Sequence, residues 1–250
     1  MNKVVLFLLI ICILVTAGRA GEDLTAEEIL AMRDENMVFK TAYSEIDMII
    51  TIGKRIVIKK LISYTEGTEK SFIEFLSPAR DRGTKMLKIG KVLKIYFPSA
   101  ERVMRLSGHM LRQSMMGSDF SYEDMTETAE ELEKEYDVKL LAEEVFAGAR
   151  CYVLKLESKV ENKTYFFQKI WVDKEKSIGR KVELYAKSGK LLKVMTVEDI
   201  KSFKNRYYPT KVTMENKLRK NSKTEMMITR IEFDIPIPSG TFTERNLMRK

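Results

Sequence analysis

The sequence predicts an α+β, mainly β domain whose strands pair antiparallel in one large curved sheet or barrel. Apolar residues alternate with polar ones from about residue 46 to about residue 233, with one lapse in the middle. Tight turns rich in Gly, Pro and Ser separate the alternating runs, which favours antiparallel neighbours over helical crossovers. Several strands are apolar on both faces and need cover on each, from a helical layer, a closed barrel or a ligand.

The chain opens with Lys3, a nearly unbroken apolar run from Val4 to Val15, and the small residues Ala17, Gly18 and Ala20. This is the anatomy of a secretory signal peptide, with cleavage expected after Ala20. The apolar run, about 12 residues, is too short for a bilayer span, which needs about 20. Cys12 follows Ile11 in the middle of this run, which is not a lipidation site. Residues 1–20 are therefore read as the leader and 21–250 as one domain.

Thr25-Ala26-Glu27-Glu28 reads as a capping box opening a helix to about Asn36. Ile46, Met48, Ile50 and Ile52 then share one strand face, Gly53-Lys54 turns the chain, and Ile56 and Ile58 alternate with Arg55, Val57 and Lys59. Further strands are expected over Lys70–Leu76, Thr84–Ile89, Val92–Phe97 and Glu101–Leu106, with turns at Gly90-Lys91 and Pro98-Ser99. The pattern lapses from Ser107 to Asp124, and the acidic stretch Thr126 to Tyr136 suits a short helix. Strands resume over Val138–Val145, Cys151–Ser158, Thr164–Val172, Arg180–Ala186, Leu191–Phe203, Tyr207–Arg219 and Lys223–Phe233. In the third of these, Tyr165, Phe167 and Trp171 are expected on one side and Phe166, Ile170 and Val172 on the other. Pro236 and Pro238 stop the last strand, and Thr243 to Leu247 reads as a final helical turn.

The formal net charge is +8, and loss of Lys3 and Arg19 with the leader leaves +6. Lys59, Lys60, Lys85, Lys88, Lys91 and Lys94 are dispersed along strands, where lysines ordinarily mark solvated faces and protected edges. Export and the lack of a basic-aromatic motif argue against nucleic acid as a partner. Cys151 is the one thiol left after the leader, so an internal disulfide is excluded and packing must supply stability.

The catalytic inventory is thin. His109 is the only histidine, which excludes a two-histidine zinc site. A hydrolase built on His109 would draw on Ser107, Ser114 or Ser118, none of which sits in a Gly-x-Ser-x-Gly elbow. Cys151 in a strand pattern reads as a small buried hydrophobe. Glu123 and Asp124, as loop carboxylates, are read as solvated or as caps for the next helix. No Walker loop or dinucleotide fingerprint is present, and no cofactor or metal is called for.

The residues that stand out are apolar and flexible. Met104, Met110, Met115, Met116 and Met125 fall within 22 residues, and the lapse between strands also holds Phe120 and Tyr122. Methionine adapts its shape cheaply and suits surfaces that accept ligands of variable form. A segment of this kind either plugs the chain's own core or lids a cavity, and the residues alone favour neither. An apolar cavity in an exported protein points to lipid or acyl chains.

Phe75-Leu76-Ser77-Pro78, Arg82-Gly83-Thr84-Lys85-Met86-Leu87, Ile95-Tyr96-Phe97-Pro98, Arg112-Gln113-Ser114 and Gly117-Ser118-Asp119-Phe120-Ser121-Tyr122-Glu123-Asp124 occur in this order. The arrangement resembles the bacterial outer-membrane lipoprotein-sorting family, the LolA-like group, over residues 22 to 250. The resemblance implies an incomplete, half-open antiparallel barrel, with the N-terminal helix and the central segment lidding its concave apolar face. It also implies a periplasmic, non-enzymatic, monomeric carrier of lipid or lipoprotein acyl chains, with an inner-membrane transporter as donor and an outer-membrane acceptor. The long central motif sets this branch apart, so another lipid, handled with a membrane exporter, is equally compatible. On this reading Leu93, Ile95, Met104, Met115, Met116, Phe120, Tyr122 and Trp171 line or gate the cavity, and Arg82 and Arg112 tie the lid. The alternatives are a β-rich envelope interaction module and an accessory subunit of a membrane lipid exporter.

Overall fold

The computed structural model describes residues 24–127, 129–203 and 206–249. The signal peptide expected over residues 1–20 lies outside the described residues. Helix α1 (Ala26–Met37) is opened by the expected capping box: the Glu28 amide donates to Thr25 Oγ1 at 3.2 Å, and the Thr25 amide donates to Glu28 Oε2 at 2.8 Å. The strands are β1 (Thr41–Ile52), β2 (Arg55–Glu66), β3 (Lys70–Ser77), β4 (Lys85–Ile89), β5 (Val92–Phe97) and β6 (Arg102–Leu106). After the short helix α2 (Ala129–Glu135) come β7 (Tyr136–Phe146), β8 (Ala149–Ser158), β9 (Phe167–Asp173), β10 (Gly179–Tyr185), β11 (Leu191–Phe203), β12 (Arg206–Asn216) and β13 (Ser222–Phe233). Helix α3 (Glu244–Leu247) ends the described chain's elements.

All of these strands form one antiparallel sheet in the order β6-β5-β4-β3-β2-β1-β13-β12-β11-β10-β9-β8-β7. The sheet is two hairpin series joined at a central seam, where β1 pairs with β13 from Ala42↔Phe233 to Ile52↔Ser222. Its outer strands, β6 and β7, do not pair with one another, so the barrel stays open. Register shifts leave an extra residue at Thr229 of β13, Leu76 of β3, Leu141 of β7 and Glu198 of β11, and bulges of this kind bend their strands.

This order forces one long passage. The chain leaves β6 at one edge and must reach β7 at the other, so residues 107–135 cross the sheet. They cross its concave face. There the inward residues of β1 to β6, including Met48, Ile50, Leu61, Phe75, Met86, Leu93, Ile95 and Leu106, form one buried cluster with Met115, Phe120 and Tyr122 of the crossing segment. In the other half, Ala26, Ile29 and Leu30 of α1 pack on Leu154, Leu156, Ile170, Val172, Val182 and Leu184. On the convex face, Leu247 of α3 packs with Phe72, Leu87 and Tyr96. Each half of the two-faced sheet therefore has its own cover.

Three expectations need correction. Lys59, Lys85 and Lys88 are not on a solvated face: they are only 2 %, 7 % and 7 % exposed. Lys85 Nζ donates to the Arg249 carbonyl at 2.6 Å and Lys88 Nζ to the Thr68 carbonyl at 2.7 Å, so each buried ammonium has a partner. Ile56 and Ile58, conversely, stand exposed at 63 % and 52 %, because pairing of Met48 with Lys59 and Ile50 with Val57 turns the other face of β2 inward. The third concerns Tyr165, which precedes β9 and joins the concave cluster with Ile170, whereas Trp171 faces the opposite side. There Lys169 and Lys181 lie 4.5 and 4.3 Å over the indole and cover it with their stems.

Helix α1 is also held by the β9–β10 turn. Asn36 Nδ2 donates to the Lys176 carbonyl at 2.7 Å, and Asp173 fixes that turn. The Asp173 carboxylate accepts from the Glu175 and Lys176 amides at 2.9 and 3.0 Å and from Arg180 at 2.9 and 2.6 Å. Burial pushes this carboxyl up, but the hydrogen bonds from Arg180, Lys176 and Glu175 outweigh it and leave it below its ordinary value. Its stabilisation is therefore complete above the ordinary carboxylate range and is lost as pH falls through the lowered value. Asp173→Asn is expected to lower the urea midpoint at pH 7 and to flatten its fall in acid; an acid limb as steep as in the parent would contradict this.

Candidate functional site

The segment crossing the concave face is built from three 3-10 turns, Gly108–Arg112, Met115–Gly117 and Glu123–Met125. Three of its residues lie in the left-handed region: Gly108 at φ 54°, Met116 at φ 51° and Gly117 at φ 82°. Glycine takes this conformation freely, whereas Met116 is strained there and needs outside support. Lys59 supplies it, donating from Nζ to the Met116 carbonyl at 2.7 Å while pairing with Asp81 at 2.8 Å. The ammonium is buried, and its two anionic or carbonyl partners replace water.

The loop closes on itself through the Met115 amide to the Phe120 carbonyl at 2.8 Å, the Tyr122 amide to the Gln113 carbonyl at 3.2 Å, and a Ser114–Ser121 bridge. Ser114 Oγ donates to the Ser118 carbonyl, and Ser118 Oγ donates to the Met115 carbonyl at 2.7 Å. Both serine hydroxyls are thus committed to shaping the turn.

Asp119 fastens the loop to the sheet. Its carboxylate accepts from Ser222 Oγ at 2.5 Å and from Thr224 Oγ1 at 2.8 Å, and its amide donates back to Thr224 Oγ1 at 2.9 Å. Asp119, Ser222 and Thr224 are 2 %, 5 % and 0 % exposed, so the three form a dry polar latch on β13 at the central seam. A second latch closes the far end. Asp124 accepts from the Ser121 amide at 2.6 Å and from Tyr165 OH at 2.7 Å, and pairs with Lys193 at 2.8 Å. Glu123 accepts from Thr164 Oγ1 at 2.8 Å. Burial first, then the adjacent Asp124 carboxylate, pushes the Tyr165 hydroxyl far above its ordinary value and keeps it a donor.

Between the latches the segment is apolar. Met115, Phe120 and Tyr122 are 2 %, 6 % and 6 % exposed, and Met104, Met110, Leu111 and Met116 pack around them. Met48, Met86 and Met214 join from the sheet, and Met195 and Met226 lie at its border, so this cluster holds nine of the chain's 15 methionines. The segment is thus a plug in its packing and a strap in its attachment. A pocket of about 260 Å³ opens beside it, lined by Ile50, Ile52, Val57, Met116 and Gly117, with Arg55, Lys59, Arg80 and Arg219 among its walls.

Of the residues singled out from the sequence, the structure brings together Leu93, Ile95, Met104, Met115, Met116, Phe120 and Tyr122. Trp171 lies apart, packed with Cys151, Val153 and Phe146. Arg82 Nε donates to the Leu76 carbonyl at 3.1 Å within its own β3–β4 connection, and Arg112 is exposed at the end of its 3-10 turn. Glu123 and Asp124 are latch residues and not solvated loop acids. Asp119, Lys59, Ser222 and Thr224 were not singled out as site residues. Their signal was faint: polar groups at inward positions of apolar strands.

His109 is exposed, and among the described residues no hydrogen bond joins it to Ser107, Ser114 or Ser118. Among those residues no group of three or more His, Cys, Asp or Glu is placed to hold a metal, and no helix is long and apolar enough to cross a membrane.

Residues 67–249 match the model of a family described as uncharacterized protein-like. The chain belongs to that family. Its fold is LolA-like: a LolA superfamily protein from Nitrosomonas europaea superposes with a TM-score of 0.73 at 24% identity, covering 90% of this chain and 100% of that one. An outer membrane lipoprotein-sorting protein domain from Vibrio parahaemolyticus gives 0.79 at 24% identity over 90% and 98% of the two chains. A DUF1329 family protein from Desulfovibrio piger gives 0.82 at 25% identity over 89% and 97%. No curated protein matches the sequence.

Truncating the first latch should be costly, because it leaves the Ser222 and Thr224 hydroxyls buried without their acceptor. Asp119→Ala is expected to cost about 2–4 kcal/mol in urea unfolding. In a double-mutant cycle with Thr224→Val the two changes should be strongly non-additive; additivity would show that the latch carries no coupling.

Proposed function

We propose that the protein is a non-enzymatic periplasmic carrier that takes acyl chains of a lipid or lipoprotein into its concave face. The observation that carries this reading is the strap itself: a methionine-rich apolar segment lying in an apolar trough and fixed to the sheet by polar latches. An acyl chain that displaces the strap exchanges one apolar contact for another, and methionine side chains repack around it cheaply. Burial of each methylene contributes about 0.8 kcal/mol, enough over one chain to offset the opening of a latch. The LolA-like fold supports the same reading, since one structural neighbour is described as an outer membrane lipoprotein-sorting protein domain. Transfer between membranes then needs a donor in the inner membrane and an acceptor in the outer membrane, and no bond chemistry.

A second reading, a β-rich interaction module, is favoured by one feature. The outer strand β7 carries Leu140, Leu141 and Val145 exposed at 41 %, 52 % and 72 %, an edge suited to pairing with another chain.

Delipidated protein mixed with an acylated peptide or a phospholipid is expected to hold one lipid in native mass measurements; no uptake from either probe would end the carrier reading. Trp171 is the chain's one tryptophan and lies off the concave cluster, so its emission should hardly respond to that uptake. In a Phe120→Trp, Trp171→Phe variant the emission is expected to shift on lipid addition. An unchanged spectrum in a variant that still binds lipid would show that the strap stays in place.

A further inference from the structure

The pocket beside the strap has a chemical asymmetry. One wall is apolar: Ile50, Ile52 and Val57 of the sheet and Met116 of the strap. The other is basic. Arg55 comes from the start of β2, Arg80 from the β3–β4 connection and Arg219 from the β12–β13 turn, and no carboxylate lines the pocket. Three separate turns thus deliver guanidinium-bearing residues to one mouth.

Several basic side chains on or beside this sheet are matched by acids, as in Lys91–Glu131, Lys174–Glu143, Lys211–Glu225 and Arg230–Glu45. At this mouth the balance fails. Asp81 serves Lys59 at 2.8 Å and lies 3.5 Å from Arg80, while neither Arg55 nor Arg219 forms an ion pair or side-chain hydrogen bond among the described residues. Unpaired guanidinium groups on an apolar slot match an amphiphile with an anionic head, because the planar fork accepts phosphate or carboxylate oxygens in pairs.

We propose that this pocket is the head-group site for an anionic lipid, with the phosphate at Arg55, Arg80 and Arg219 and the first methylenes against Ile50, Ile52 and Met116. The inference rests on the carrier reading and narrows it to negatively charged lipids. The volume, about 260 Å³, is below that of an ordinary ligand pocket, which starts at about 300 Å³. The pocket therefore holds the head and the top of a chain, and the remaining methylenes run under the strap as Met116 moves. Lys59 couples the two regions, since the same ammonium lines the pocket and holds the Met116 carbonyl.

The test compares delipidated full-length mature protein against lysophosphatidylglycerol, the uncharged monoacylglycerol of the same chain length, and inorganic phosphate, by titration calorimetry. The phosphate lipid is expected to bind at least about tenfold more tightly than the uncharged lipid. Arg55→Gln/Arg219→Gln is expected to erase that preference while leaving the affinity for the uncharged lipid within about twofold. Both arginines are exposed, and an unchanged urea midpoint in the double variant confirms an intact fold. Equal affinities for the two lipids in the parent would overturn the head-group site and leave the carrier reading standing. Equal losses for both lipids in the variant would overturn it as well, and inorganic phosphate binding as tightly as the phosphate lipid would reassign the site to a free anion. Binding of neither lipid would overturn both readings.

Discussion

The arrangement depends on a carboxylate with two hydroxyls: Asp119 against Ser222 and Thr224. Its need follows from topology. Two series of hairpins meet at β1 and β13, so the link between their outer edges must cross the whole sheet. A crossing segment with only apolar contacts would slide, because apolar contacts are non-directional. Asp119 converts this loose contact into a fixed register on β13, at the seam where the first and last strands pair. A buried carboxylate is costly to desolvate, and it is tolerated here because two hydroxyls donate to it and its own amide is satisfied by the same threonine.

The second constraint is that the trough has two roofs. Helix α1 covers the β7–β10 half and the strap covers the β1–β6 half. Asp124 lies where they meet, because Tyr165 packs in the cluster under α1 while its hydroxyl donates to the strap. A disturbance of the strap at Asp124 is thus felt by Tyr165, and through it by the cluster that seats Ile29 and Leu30. Lys193 on β11 adds a charge partner to the same carboxylate. Along the strap, Asp119 and Asp124 hold polar joints, and Met115, Phe120 and Tyr122 supply apolar contacts.

Much of the sheet was legible because alternation reports faces directly: Ile46, Met48, Ile50 and Ile52 do line one side, and Leu93 and Ile95 pair with Leu106 and Met104 as the hairpin pattern implies. The N-terminal capping box was legible because its residues are three apart. Lysine faces were not. Lys59 sits opposite Met48 on an inward position, and only its partners, the Met116 carbonyl and Asp81, make that position tolerable. Those partners are remote in sequence, as are Ser222 and Thr224 from Asp119, and no local period encodes such a match. Tyr165 was misplaced for a related reason: β9 begins at Phe167, three residues later than the expected start at Thr164, so alternation does not reach it.

Under the carrier reading, the distribution of chemistry along the strap also bears on how it would open. A plug meant to stay would be filled by side chains with few rotamers, whereas nine of the chain's methionines meet at this cluster. Polar latches are strong while dry and weaken once water enters, since each exposed group then finds other partners. The apolar spans behave in the opposite way, favouring any state in which they stay covered, by strap or by acyl chain. Met116 lies at the boundary between these two behaviours. It is strained in the left-handed region and held through its carbonyl by Lys59, at the edge of the one basic-walled pocket described beside the strap. On the proposed head-group site, an anion drawn into that pocket would compete with the Met116 carbonyl for the ammonium, and loss of that bond would remove the support for the strained residue. Opening would then begin at Met116 and travel toward Asp119, with the Asp124 latch remaining as the hinge.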